Sequence, residues 1–74
     1  MRGKTYLATH MQDEDYYASL GKAVYIFNAR ERRVNISQEY RLVNHIVKPG
    51  HEVFVLRNTK TGKQARAKAI FVAV

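Results

Sequence analysis

The stretch "DEDYYASLGKAVYIFNARERR", Asp13 to Arg33, decides the fold, because it reads either as one long helix or as a short helix followed by a strand. As one helix, Asp13 is a good N-cap, with the acids of Asp13–Asp15 at the start and Arg30, Arg32 and Arg33 near the end. Both ends then suit the helix dipole. Tyr17, Leu20, Val24 and Phe27 recur at i, i+3, i+7 and i+10, a single apolar stripe. In the other reading Gly21 is a break, and "KAVYIFNA" is a β-branched and aromatic strand. A glycine inside a helix costs about 1 kcal/mol. The end charges and the long stripe favour the helix, and the strand stays open as the alternative.

The next segment, "NISQEYRLVNHIVKPG", poses the same question. Ser37 can cap a helix, although Tyr40 stands three residues on, where Glu or Gln completes a capping box. Tyr40, Val43 and Val47 form a stripe widened by Leu42 and Ile46, and Pro49 with Gly50 ends the element. A strand over "EYRLVNHIV" instead turns the whole chain into a small all-β barrel. Upstream, "KTYLAT" alternates as a short first strand, with Tyr6 and Ala8 on one side.

The C-terminal third predicts a hairpin. In "HEVFVLRN", Val53 and Val55 face one way and Phe54 and Leu56 the other. In "KQARAKAIFVAV", Ala65, Ala67, Ala69, Phe71 and Ala73 alternate with Arg66, Lys68, Ile70, Val72 and Val74. "NTKTGK", residues 58–63, has the form of a type I turn followed by Gly62 in the left-handed region. "AIFVAV" contains no polar residue, so that strand must be tied down by its own sheet or by another copy. Self-association as a homodimer through this C-terminal strand is the expectation.

The expected architecture is therefore a single α+β domain over residues 1–74: a short N-terminal strand, one or two helices, and a C-terminal β-hairpin. The small all-β barrel is the alternative. With 74 residues and no cysteine, the chain has no disulfide and no thiolate metal site, so it folds on its apolar core. Its 46% hydrophobic content lies far above disordered composition. The longest apolar runs are too short to cross a bilayer, and "MRGKTYLATHM" lacks the apolar region of a secretory signal. No membrane association is expected, and the expected location is cytoplasmic.

Charge carries the functional expectation. Thirteen Lys and Arg oppose six Asp and Glu, a net charge of +7, and three of the six acids sit together at Asp13–Asp15. Such a surface attracts polyanions. "RNTKTGKQARAKAI", Arg57 to Ile70, holds five basic residues and no acid. Arg57, Lys60, Lys63, Arg66 and Lys68 are candidate phosphate contacts, and Asn58 and Gln64 can add hydrogen bonds. On the expected second helix Arg41 and Asn44 lie three apart beside His45, which makes them candidate base-edge readers. Arg30, Arg32 and Arg33 form a second basic cluster. Tyr6, Tyr16 and Tyr25 are the tyrosines least committed to a core, available as stacking platforms.

Nucleic-acid binding, with DNA first, is the expected function of a small regulatory or accessory protein. The alternative is a non-enzymatic interaction module or inhibitor that turns its basic face to an acidic protein partner. The same residues also fit a plainer role, since charged tips are solvated and Lys on a strand deters edge pairing. No enzyme and no cofactor are expected. His10, His45 and His51 lack zinc-ligand spacing, "DED" does not converge as a calcium loop does, and "LGK" and "TGK" lack the remainder of a phosphate loop.

Overall fold

The computed structural model describes residues 2–74. Its elements are β1 (Gly3–Leu7), α1 (Asp13–Ser19), β2 (Val24–Asn28), β3 (Arg33–Ile46), β4 (Val53–Asn58), β5 (Gln64–Ala67) and β6 (Ala69–Ala73). With 53% strand and 10% helix, all strand pairs being antiparallel, the α+β expectation is overturned and the all-β alternative describes the chain.

The decisive stretch divides at its glycine. α1 ends at Ser19, whose hydroxyl donates to the Asp15 carbonyl at 2.6 Å and so competes with the helix ladder. Leu20 is already extended and Gly21 lies at φ +82°, a conformation that lets the chain reverse into β2. The expected stripe is thereby split: Val24 is fully buried, whereas Tyr17 is 69% exposed. Gln12, rather than Asp13, holds the N-cap position, and it makes no side-chain capping bond. Of the arginines read as a helix end, Arg30 and Arg32 belong to the turn between β2 and β3, and Arg33 opens β3. Arg32 and Arg33 therefore complement no helix dipole.

The second expected helix is the 14-residue strand β3. Tyr40 and Leu42 are buried with Arg41 between them, which is the period of a strand, while Val43 and Val47, needed for the helical stripe, are exposed.

Closure comes from the C-terminal run. Sheet order is β1-β6-β2-β3-β4-β5, and β5 and β6 are one stretch of chain bent at Lys68. β5 pairs with β4, and β6 pairs with both β1 and β2. The outer strand β5 is thus continuous in chain with β6, which lies next to the other outer strand, β1, and the sheet curls into a small barrel of 30 × 26 × 21 Å. The bend also shifts the inward alternation. Ala65 and Ala67 pack inward before it, and Ile70 and Val72 after it. The unbroken alternation expected over 63–74 therefore fails at Lys68. Phe54, Leu56, Ile70 and Val24 are the fully buried side chains, and Ala8 and Met11, from the connection between β1 and α1, join the same core.

The expected turn at 58–63 is present. The Gly62 amide donates to the Asn58 carbonyl at 2.8 Å, the Asn58 amide to the Lys63 carbonyl at 2.8 Å, and Gly62 sits at φ +75°. Residues 69–72, expected to continue the hairpin, pair with β1 and β2 instead. β6 is flanked on both sides, by β1 and β2, so the apolar C-terminal strand is tied down by its own sheet, one of the two arrangements expected for it. No helix among the described residues is long and apolar enough to cross a membrane.

Candidate nucleic-acid interface

Cross-strand register gathers the expected contact residues on the outside of the barrel. Arg41 lies directly opposite Arg57, and Arg57 lies opposite Gln64. The neighbouring row is Asn44, Val55 and Arg66. Residues directly opposite share a face, and so do alternate residues of one strand, so both rows stand on the same side. That side is the outer one, because the intervening Leu42, Leu56 and Ala65 row packs into the core. Arg41 and Asn44 are three apart and would point to opposite faces of a regular strand. A bulge between Leu42 and Asn44 restores them to one face. They are brought together as expected, but by a strand irregularity rather than a helical turn.

The electrostatics of this face are lopsided. Glu39, two residues before Arg41 on β3, accepts from the Arg41 guanidinium at 3.0 Å, and this is the only ion pair among the described residues. Arg57 and Arg66 are exposed and have no acidic partner among those residues. Lys68 is exposed at the bend beside β5, and Lys60 and Lys63 are exposed at the β4–β5 turn.

The turn itself does not project as a finger. Thr59 donates its backbone N–H and its hydroxyl to the Glu39 carbonyl at 3.0 and 3.2 Å, which ties the tip to β3. Asn58 is engaged by the same architecture. Its Oδ1 accepts the amides of Lys60 and Thr61 at 2.9 and 3.1 Å, and its Nδ2 donates to Gln38 Oε1 at 3.3 Å. It builds the turn, which takes up its Oδ1 and one of its two Nδ2 hydrogens.

The second basic cluster is set apart. Arg30 and Arg32 occupy the β2–β3 turn and Arg33 opens β3; the turn repeats the geometry of the first, with Asn28 Oδ1 accepting the amides of Arg30 and Glu31 at 3.0 and 3.1 Å. His45, expected to stand beside the readers, is a packing residue. Its ring stacks between Phe54 at 4.9 Å and Tyr16 at 6.1 Å, and its Nε2 bonds the Ala8 carbonyl.

A groove of about 540 Å³ adjoins the arginine rows, lined by Tyr25, Ile36, Ser37, Gln38 and Glu39 on one side and residues 58–61 on the other. It exists because the β2–β3 register slips: Val24 pairs with Tyr40 but Ile26 with Asn35, so four residues of β3 bow away from β2. Sequence reasoning left this feature out. Glu39 was nonetheless detectable as the one acid two residues from Arg41, hence on its face in any strand reading. No family model, curated protein or solved structure matches this chain.

Proposed function

We propose that the protein binds a nucleic-acid strand laid across the outer face of β3, β4 and β5, with Arg57, Arg66 and Arg41 on its phosphates. One observation carries this reading. Arg41 and Arg57 stand directly opposite each other, and a single carboxylate serves the pair. Like charges in that position cost a few tenths to about 1 kcal/mol. A bound polyanion removes that cost and turns it into affinity. Gln64 and Asn44, on the same rows, add donors and acceptors suited to sugar or base edges.

The form of the surface favours a strand lying on it over a finger inserted into a duplex groove. The hairpin tip is tied to β3. The only helix among the described residues has seven residues with three acids in its first turn, which suits no phosphate backbone. DNA remains the first polymer to test, in a cytoplasmic regulatory or accessory role. The rival reading, an acidic protein partner, is separated in the same experiment.

Fluorescence anisotropy with single-stranded DNA, RNA of the same sequence and duplex DNA, over a series of salt concentrations, tests the proposal. Binding should fall steeply as salt rises, because neutralised phosphates release counterions. Arg57→Glu or Arg66→Glu should weaken binding by about tenfold or more, and Arg30→Glu by much less. The reading is overturned if micromolar protein binds none of the three at low salt, or if both reversals leave affinity unchanged in folded protein. Equal competition by polyglutamate would instead assign the face to acidic proteins.

A further inference from the structure

We propose that the groove beside the arginine rows receives one unpaired base of the bound strand, and that this base is guanine. The inference rests on the reading of the arginine face given above. Glu39 joins the two sites, since it lines the groove and also accepts from Arg41. A strand whose phosphates lie on Arg41 and Arg57 therefore passes the mouth of the groove.

The lining supplies what a base needs. Tyr25 offers a half-buried aromatic ring, and Ile36, at 65% exposure, is a large apolar side chain left open to solvent on the same groove. Single-stranded bases splay out onto such surfaces and are read along their Watson–Crick edges. The volume falls within the range of small-molecule sites, which is ample for one nucleoside.

The unspent hydrogen-bonding groups select the base. Glu39 Oε2 is engaged by Arg41 at 3.0 Å, but Oε1 receives only the Tyr25 hydroxyl at 3.5 Å, the outer limit of a hydrogen bond. Gln38 Oε1 already accepts from the Tyr40 hydroxyl at 2.6 Å and from Asn58 at 3.3 Å. The amino group of Gln38 has no partner among the described residues. The groove therefore has, in Glu39, a carboxylate with spare acceptor capacity, whereas the Gln38 side chain is held on the opposite face of β3 with Tyr40 and Asn58. Guanine alone presents two adjacent N–H donors, at N1 and N2, beside a carbonyl acceptor at O6. Adenine and cytosine each place a ring nitrogen lone pair against the carboxylate, and uracil or thymine flanks its one N–H with two carbonyls.

The test uses oligothymidylate carrying a single central guanine, inosine, adenine or cytosine, and the oligouridylate equivalents. One guanine should tighten binding by about tenfold, the discrimination expected of a good paired contact, and adenine or cytosine should not. Inosine, which lacks the 2-amino group, should lose most of that gain. In Glu39→Gln the two strand types should respond in opposite directions. Guanine-free strands bind more tightly because a carboxylate near their phosphates is gone, and the guanine preference shrinks to about twofold or less. Tyr25→Phe should keep the preference, and Tyr25→Ala should reduce it. The proposal is overturned if the native protein shows no guanine preference, or if Glu39→Gln shifts every strand by the same factor. In those cases sensitivity to Arg57→Glu still upholds the arginine face, whereas failure of every strand to bind removes both. The guanine–inosine comparison needs no variant, so a misfolded mutant leaves the test intact.

Discussion

Two turns built on the same asparagine scaffold place different residues at the left-handed position, and the difference is measurable. Asn58 and Asn28 each hold two successive amides, and four residues on the backbone turns left-handed, at Gly62 with φ +75° and at Arg32 with φ +54°. Glycine adopts that conformation freely, whereas a residue with a Cβ is strained there by roughly 1 kcal/mol. Gly62→Val should therefore destabilise the protein by more than about 1 kcal/mol, since a β-branched residue is the least suited to positive φ. Arg32→Gly should do the reverse, raising stability by about 0.5–1 kcal/mol. Urea denaturation of both variants checks the pair, and a loss of stability in Arg32→Gly would contradict the strain. The first turn was legible in the sequence because Gly62 follows Asn-Thr-Lys-Thr. The second was not, because an arginine gives no sign that its φ is positive.

At the scale of elements, β2 is where sequence and structure part, and the cause is a coincidence of periods. Tyr17, Leu20, Val24 and Phe27 satisfy a helical spacing, yet Val24 and Ile26 also satisfy a strand facing a core. What decides between them is long range: the barrel closes only if β2 fills the place between β6 and β3. No local pattern carries that requirement, and the arginines that made the helix look well ended serve a turn and the start of β3. Gly21 gives a test whose sign separates the two structures. In a continuous helix Gly21→Ala would stabilise by about 1 kcal/mol, as alanine does in helix interiors. At φ +82° the same change should instead destabilise by about 1 kcal/mol or more, although an added Cβ meets no neighbouring atom within 4 Å. Thermal or urea unfolding of this variant gives the sign directly. β3 follows the same logic: Tyr40 and Leu42 were identified as core residues under the wrong periodicity, while the bulge that aligns Asn44 with Arg41 depends on pairing with β4.

For the molecule as a whole, the basic composition was plain from the sequence, but its arrangement in rows was not, because register is a property of paired strands. The result is a barrel only 30 × 26 × 21 Å across with a net charge of +7 and one ion pair among its described residues. At an ionic strength of 0.1 M the screening length is about 10 Å, so many of these charges repel one another in dilute buffer. Net charge of one sign destabilises a compact state through that self-repulsion. Sodium chloride should therefore raise the melting temperature of the free protein between low and moderate concentration. Over the same range it should weaken nucleic-acid binding, because counterion release opposes association. The two slopes have opposite signs and one origin. Adding an oligonucleotide at low salt should recover stability by linkage, and that gain should fade as salt rises. Arg57→Glu lowers the net charge by two and removes the Arg41–Arg57 opposition, so its free-state melting should depend less on salt. Calorimetric or spectroscopic melts set beside anisotropy titrations at matched salt check this. A melting temperature that falls with added salt would mean that favourable ion pairing outweighs repulsion, and the charge of the arginine face would then need another explanation.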